Sequence, residues 1–152
     1  MRSRRDDVDP WAVVERALRL GVCGLGGRLG EVPTTPAAAV RATSDEYDDR
    51  AAARLQRFAA APVPSWVWTQ EAPGVFRLGR ITGPWRYDPT DAGATVDLVH
   101  LRPCTWDPRP FAEHELPPAV ALTFRRGGRN FQRTHHPDVA AQTERIWTGE
   151  QD

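Results

Sequence analysis

The stretch from Arg77 to Trp106 constrains the fold more than any other part of the chain. It contains two runs rich in β-branched and aromatic residues, 77–87 and 96–106, with a polar segment containing Asp and Gly between them. Such an arrangement is typical of two paired β-strands. Because Gly83-Pro84 interrupts the first run and Pro103 the second, we expect each strand to be broken or displaced there. The sequence therefore predicts a twisted sheet in the middle of the chain.

Helix-start and helix-stop signals lie on both sides of this stretch. Asp9 is a good N-cap and Pro10 suits the first helical position, while Gly21 is suited to end the helix. Thr35 begins a second helix by the same logic, and Ser44 is expected to cap a third, which prolines then stop. The predicted helices cover residues 10–20, 36–43, 45–60, 116–124 and 137–147.

Further extended segments complete the predicted secondary structure. They cover residues 22–23, 65–69, 75–82, 85–87, 96–101, 104–106 and 130–134, and residues 88–95 are predicted to be a loop. Because strands and helices are not arranged in repeating strand–helix–strand units, the pattern predicts the α+β class rather than a parallel sheet.

The composition is that of one globular domain. The chain has 152 residues, of which 40% are hydrophobic and 26% are charged. We expect residues 1–8 to be a disordered terminus and residues 9–148 to form a single domain. No apolar run approaches the ~20 residues that span a bilayer, and no signal-peptide core follows the charged start. We therefore expect a cytoplasmic protein with no membrane partner, in which Cys23 and Cys104 are buried thiols.

The net charge is zero, so only the distribution of charge along the chain bears on whether nucleic acid is a partner. Residues 77–133 contain nine arginines against six acidic residues, or about +3. Arginine is the cation best suited to bidentate phosphate contacts and to stacking on rings. The chain contains no lysine, which a GC-rich genome also explains, so a solvated basic face is the alternative. The acidic residues at 45–49 are interpreted as a helix start without a catalytic role.

Aromatic and arginine residues interleave in the central stretch in a way that suits the recognition of a nucleobase. Such recognition needs a stacking face, a rim of cations and a backbone that comes close to the ligand. Trp85 and Tyr87 are predicted to supply the face, and Trp68 an opposing ring. The full predicted nucleic-acid-binding set is Gly24, Gly26, Trp68, Arg80, Trp85, Arg86, Tyr87, Arg102 and Arg129. The alternative is that at least two of these rings belong to the core, Trp66 or Trp68 among the buried ones.

Two segments carry a family resemblance. Residues 79–89, GRITGPWRYDP, and residues 100–106, HLRPCTW, resemble a segment of bacterial PUA-like modules. Those modules stand at the front of modification-dependent restriction endonucleases and in anti-phage proteins, and EVE, YTH and ASCH domains are more distant relatives. Weaker similarity extends over residues 20–29 and 116–133. The resemblance implies a small twisted β-barrel with an N-terminal helical segment and a C-terminal helix, and a flipped or single-stranded base, often modified, in an aromatic-lined pocket.

This chain carries no fused nuclease or helicase segment, unlike the modules that it resembles. The sequence therefore predicts a non-catalytic module that binds DNA or RNA, needs no cofactor and acts with a separate effector protein in a restriction or phage-defence setting. The alternative is a protein-interaction or structural module on the same barrel without nucleic-acid affinity.

Other chemistry is less favoured by the residue pattern. His100, Cys104, His135 and His136 are the candidate metal ligands, but their spacing on an interrupted strand is poor for a shared ion. Cys104 beside His100 is a conceivable nucleophile, although a buried thiol is commoner. Glu113 and Glu115 show no paired-carboxylate spacing. We therefore predict no metal and no catalytic residues.

Overall fold

The computed structural model describes Met1, residues 5–127, Thr134 and residues 136–150. The fold belongs to the α+β class, as predicted, with a curled antiparallel sheet and helices towards both ends of the chain. The helices are α1 (Pro10–Leu20), α2 (Pro36–Glu46), α3 (Asp49–Ala60), α4 (Asp91–Thr95), α5 (Pro118–Arg125) and α6 (Val139–Thr148). The strands are β1 (Val22–Leu25), β2 (Ser65–Ala72), β3 (Val75–Ile81), β4 (Arg86–Tyr87) and β5 (His100–Trp106). The strand expected at 130–134 lies almost wholly outside the described residues.

Strand β5 is the central strand of the sheet, because β1, β3 and β4 all pair with it. The strand order is β1-β5-β3-β2, and β4 also pairs with β5, so all pairings are antiparallel neighbours of a curled sheet. The described strands form a half-barrel, since the edge strands β1 and β2 do not pair with each other.

Strands β3 and β4 are two pieces of one path along β5. Ile81 lies opposite Cys104 and Arg86 opposite Leu101, so the chain leaves the sheet between them, as Gly83-Pro84 predicts. The strand expected to end near residue 101 instead runs from His100 through Pro103 to Trp106. A proline is tolerated there because it lies opposite this interruption, where no amide donor is needed.

One face of the half-barrel sheet, called the Cys104 face from here on, forms one hydrophobic core. Residues paired across antiparallel strands point to the same face, which places Cys23, Ile81 and Cys104 together. Leu55 and Phe58 of α3 pack against them, and all five side chains are buried. Helices α2 and α3 therefore cover this face.

The opposite face of the sheet is covered in two places. One cluster lies over β3 and comprises Phe76, Leu78, Phe111, Leu116, Val120 and Ala121, with side chains of α6 packed on it. The other lies between α1 and the strands β1 and β5 and comprises Val13, Ala17, Val22, Leu98 and Leu101. Burial of each large apolar side chain contributes about 1.5–3 kcal/mol, so all three layers stabilise the sheet.

Local capping explains most helix ends and one incorrect prediction. Asp9 accepts a hydrogen bond from the Trp11 amide, and Gly21 ends α1 in the left-handed conformation, both as predicted. Ser44 does not cap a helix, because α2 continues to Glu46. The Asp48 carboxylate instead accepts from the Ala51 amide at 2.7 Å and starts α3.

The segment predicted as a loop at 88–95 contains the short helix α4. The Thr90 hydroxyl caps it by accepting from the Gly93 amide at 3.1 Å. None of the helices in the described part of the chain combines the length and the apolar character that crossing a membrane requires. The expected disorder of residues 1–8 and the expected cytoplasmic location stay predictions.

Candidate binding pocket

The predicted nucleic-acid-binding residues do not form a single site. Trp68 and Arg80 lie on the face opposite to the Cys104 face, towards α6, where Trp68 Nε1 donates to Thr143 Oγ1 at 3.3 Å. The Arg80 guanidinium lies 5.5 Å from the centre of the Trp147 ring, which is cation–π distance. Trp66 shares this face, as predicted, and is half-buried like Trp68. These side chains anchor α6 to the sheet.

Trp85 and Tyr87 lie on the Cys104 face, around His100. The Trp85 ring stacks on His100 with centroids 6.1 Å apart, and the Tyr87 ring meets His100 edge-on at 5.4 Å. Trp68 therefore cannot oppose Trp85 across one base, because the sheet lies between them. The two rings that were predicted to stack on a base therefore contact His100 of the protein itself.

The expectation that Arg102 lies on a cationic rim is wrong. Its side chain is only 2% exposed, and its guanidinium donates to the carbonyl oxygens of Phe58 at 3.0 Å, Ala61 at 2.7 Å and Gly83 at 3.0 Å. Two of these carbonyls belong to the C-terminal end of α3, where backbone acceptors lack partners within the helix and the dipole favours a cation. Arg102 is therefore a structural cap for α3.

The two predicted glycines approach the protein itself. A Cβ at Gly24 would lie 2.1 Å from the His100 carbonyl oxygen, so Gly24 allows β1 to pack closely on β5. A Cβ at Gly26 would lie 2.2 Å from the Asp97 carboxylate. Arg86 is exposed on β4, and Arg129 lies outside the described residues. Among the eight predicted residues that are described, Gly26 is the one that lines the pocket discussed next.

A pocket of about 80 Å³ opens where the end of β1 meets α2, α3 and the residues before β5. Its inner part is formed by the buried residues Leu25, Leu55, Asp97 and His100 together with Gly26, Gly27, Thr43 and Ala51. Its mouth carries more exposed side chains, those of Arg5, Tyr47 and Arg54. The pocket thus combines an apolar wall, a carboxylate, an aromatic ring and two guanidinium groups, of which that of Arg5 is paired with the Asp7 carboxylate at 2.6 Å.

Asp97 is the buried acid of this pocket, and its position is set locally. Its φ of +52° is a left-handed conformation, which aspartate tolerates better than most residues. The Asp97 amide donates to the Ala94 carbonyl at the end of α4, and the Gly27 amide donates to Asp97 Oδ1 at 2.9 Å. The carboxylate is therefore held against Gly26 and Gly27 in one orientation.

His100 is fully buried beside Asp97 and stays neutral at pH 7. Burial lowers the pKa of its imidazole to about 4. Trp85 Nε1 can only donate, so at 3.2 Å it requires His100 Nδ1 as the acceptor, and His100 Nε2 then donates to the Gly27 carbonyl at 3.3 Å. Both nitrogens are used, so His100 positions Gly27 and has no free nitrogen for a metal.

Two tyrosines hold the loop that follows Gly27. The Tyr87 hydroxyl accepts from the Leu29 amide at 3.0 Å, and the Tyr47 hydroxyl donates to the Arg28 carbonyl at 2.6 Å. Tyr47 nevertheless leaves 47% of its surface exposed. It therefore presents a ring at the mouth of the pocket while its hydroxyl keeps it in place.

The thiols do not add a reactive group to this region. The contact with the Cys23 thiol and burial both raise the pKa of Cys104, so Cys104 is protonated at pH 7 and a weak nucleophile. Among the described residues, no group of three or more His, Cys, Asp and Glu side chains is placed to hold a metal ion.

Sequence reasoning missed Asp97, Tyr47, Arg5 and Arg54. The one signal was Asp97 itself, an acidic residue within the apolar run 96–99 that also turns out to be buried. No protein-family model matches the chain, and no curated protein or solved structure is significantly similar to it. A function must therefore be argued from the geometry of the pocket.

Proposed function

We propose that this chain is a non-catalytic nucleic-acid-binding module that holds an unpaired base in the pocket beside Asp97. A separate effector protein acts on what the module binds, in a restriction or phage-defence setting. In this proposal the half-barrel is part of a closed PUA-like barrel.

The observation that supports this proposal is that one pocket is lined by an aromatic ring, a carboxylate and two guanidinium groups. Tyr47 offers a partly exposed ring on which a base can stack, a contact that contributes about 1–3 kcal/mol per base. The Asp97 carboxylate lies in the inner part, and the mouth carries Arg54 and Arg5, whose guanidinium is paired with Asp7 at 2.6 Å; arginine is a cation well suited to phosphate oxygens.

The size of the pocket favours a single ring over a whole nucleotide. Its volume of about 80 Å³ is well below the ~300–1,000 Å³ of clefts that enclose drug-sized ligands. We infer that one edge of a base enters while sugar and phosphate stay at the mouth. A base within an intact pair cannot present that edge, so the ligand is single-stranded or flipped.

The test is a tryptophan-fluorescence titration with oligonucleotides at low and moderate salt. Trp85 is hydrogen-bonded to His100 of the pocket and serves as a reporter. The panel contains single strands and duplexes with unmodified, methylated and hydroxymethylated cytosine and methylated adenine. We expect saturable binding that is stronger for single strands and weaker as salt rises.

Two aromatic variants locate the binding site. Tyr47→Ala removes the exposed ring and should weaken binding about 5- to 150-fold, as the loss of one stacked base implies. Trp11→Ala is the matched control, because Trp11 is 39% exposed on α1 and does not line the pocket. Equal effects of the two variants, or no binding of the folded protein at low salt, would contradict the proposal.

A groove between α2 and α3 favours the second candidate function, a protein-interaction module. It measures about 470 Å³ and is lined mainly by apolar side chains, with Arg41 and Gln56 at its side. A stable complex with a protein partner that is lost on Val40→Glu, together with no oligonucleotide affinity, would favour this second function.

A further inference from the structure

We propose that the groove between α2 and α3 binds a segment of a partner protein in which an acidic residue stands beside aliphatic side chains. This inference rests on the groove being a docking surface, as the second candidate function requires, and adds the chemistry of its occupant. It holds whether or not the pocket beside Asp97 binds nucleic acid, because the groove and that pocket share no lining residue.

The groove lies at the open end of a helical hairpin. Only Tyr47 and Asp48 connect α2 to α3, so the two packed helices run antiparallel and the start of α2 lies beside the end of α3. The pocket beside Asp97 uses the other end of the hairpin, where Thr43 and Tyr47 lie near Ala51. The groove and the pocket are therefore separate surfaces of the same helix pair.

Small side chains on both helices leave a space of about 470 Å³ between them. Ala37 belongs to the wall formed by α2, and Ala59 and Ala60 belong to the wall formed by α3. Val40 packs against the core and also lines the groove. None of these four residues is fully buried, so apolar surface faces solvent here. An aliphatic side chain of a partner would remove that surface from water, which favours association.

The lining of the groove contains a positive charge and no acidic residue. Arg41 is its one charged member, is exposed and forms no ion pair within the described part of the chain. The acidic residues of α2 are Asp45 and Glu46, which lie in its last turn, and Glu46 accepts from the Gly30 amide at 3.1 Å. A carboxylate of the partner would therefore find a cation at Arg41.

The start of α2 adds to this positive character. Its first turn contains no acidic residue. Thr35 accepts from the amides of Ala38 and Ala39, whereas the Ala37 amide donates to no acceptor among the residues that the structure describes. Unpaired amides at the start of a helix carry a partial positive charge, and this one lies one turn before Arg41.

Arg102 removes the opposing charge at the end of α3. The last carbonyls of a helix carry a partial negative charge, which would repel an anion near Ala60. The Arg102 guanidinium donates to the carbonyls of Phe58 and Ala61 and so compensates that charge. The groove thus combines positive charge with apolar walls. A carboxylate beside aliphatic side chains matches both features, whereas a phosphate backbone brings no aliphatic side chain for the walls.

The experiment selects ligands for the intact chain from a displayed library of random short peptides. We expect the enriched peptides to share an Asp or Glu within a few positions of Leu, Ile or Val. Fluorescein-labelled synthetic peptides of the enriched sequences are then titrated with the chain and its variants, and fluorescence anisotropy measures the dissociation constants.

Arg41→Glu tests the charge of the groove. It should weaken binding of the enriched peptides about 10- to 100-fold, because like charges then face each other. Arg50→Glu is the matched control, since Arg50 is exposed on α3, lies outside the lining and gives the same change in net charge. A second selection on the Arg41→Glu chain should enrich Lys or Arg in place of the acidic residue.

Ala37→Tyr tests the apolar walls. The larger side chain occupies the groove and should weaken binding more than about 10-fold, because the partner's aliphatic side chain then clashes with it. Ala53→Tyr is the matched control: Ala53 is exposed on α3 and does not line the groove, so binding should be unchanged.

The outcomes separate the chemistry of the partner from the docking surface itself. Peptides that need the groove but show no preference for acidic residues, or equal effects of the two glutamate variants, would show that the acidic partner is wrong while docking stands. If no peptide is enriched, or if Ala37→Tyr has no effect, both fail. Self-association that Ala37→Tyr abolishes, or oligonucleotide affinity that Arg41→Glu alone abolishes, would identify a different occupant and overturn the inference.

Discussion

Arg102 and Asp97 are two buried charged residues that lie close together in the chain, Arg102 within β5 and Asp97 just before it, but their surroundings differ. Arg102 is enclosed, and its guanidinium donates to three backbone carbonyls. Asp97 is 6% exposed, is held by the Gly27 amide and borders a cavity. Arg102 therefore stabilises the fold, whereas Asp97 also lines a pocket.

The comparison teaches that burial of a charge does not by itself indicate a binding site. A buried charge is costly unless hydrogen bonds compensate it, and both residues are compensated. The difference is the space beside them. Around Arg102 the end of α3 fills that space, whereas Asp97 lines a pocket of about 80 Å³.

The largest expected effect on stability concerns Arg102, the enclosed residue of the two. Arg102→Met should lower the free energy of unfolding by about 3–4 kcal/mol, because several buried carbonyls at the end of α3 lose their donor. Arg86→Met is the matched control and should change it by less than about 0.5 kcal/mol, since Arg86 is exposed. Chemical denaturation measures both. A similar loss of unfolding free energy in the two variants would show that the bonds of Arg102 to the end of α3 contribute no particular stability.

The next effect concerns pH and His100, which lies beside Asp97. The pKa of this imidazole is about 4 in the folded protein, against a usual value of 6.5. The unfolded chain therefore takes up the proton first as pH falls. The stabilisation is complete above pH 6.5 and is lost between pH 6.5 and 4, by about 3 kcal/mol.

Denaturation curves at several pH values between 7 and 4 check this expectation. His100→Gln keeps hydrogen-bonding groups but cannot be protonated in this range, so its stability should vary much less over the same window. Equal slopes for the two proteins would show that other groups cause the pH dependence.

A smaller effect on stability is expected for Gly26, which packs against the Asp97 carboxylate. Gly26→Ala places a Cβ 2.2 Å from the Asp97 carboxylate and should cost about 2 kcal/mol, because the carboxylate must move. Gly30→Ala is the control: its nearest neighbour is the end of the flexible Glu46 side chain at 3.1 Å, which can move away. A thermal-unfolding comparison of the two alanine variants tests this difference.

The smallest effect sharpens the assignment of Asp97 itself. Asp97→Asn should change stability by less than about 1 kcal/mol, because asparagine tolerates a positive φ and still accepts from Gly27. Asp97→Ala should cost about 2 kcal/mol, since it loses the acceptor and adopts a strained backbone. If Asn and Ala destabilise equally, Asp97 acts through its charge in the fold rather than through this geometry.

The sequence by itself determined most local structure. Asp9 and Gly21 set the ends of α1, Thr35 set the start of α2, and Gly83-Pro84 set the break between β3 and β4. Each depends on backbone preferences and contacts within a few residues. Ser44 and the loop at 88–95 were predicted incorrectly because rival caps, Asp48 and Thr90, stand close to them.

Only the tertiary structure decided which charged and aromatic side chains face a cavity. Arg102 meets α3 carbonyls 44 and 41 residues away, and Asp97 meets the Gly27 amide 70 residues away. Strand alternation shows which side chains share a face, but it cannot show which helix covers that face. The physical reason is that burial and hydrogen-bond satisfaction are properties of what packs against a residue, and in this protein those neighbours are distant in sequence.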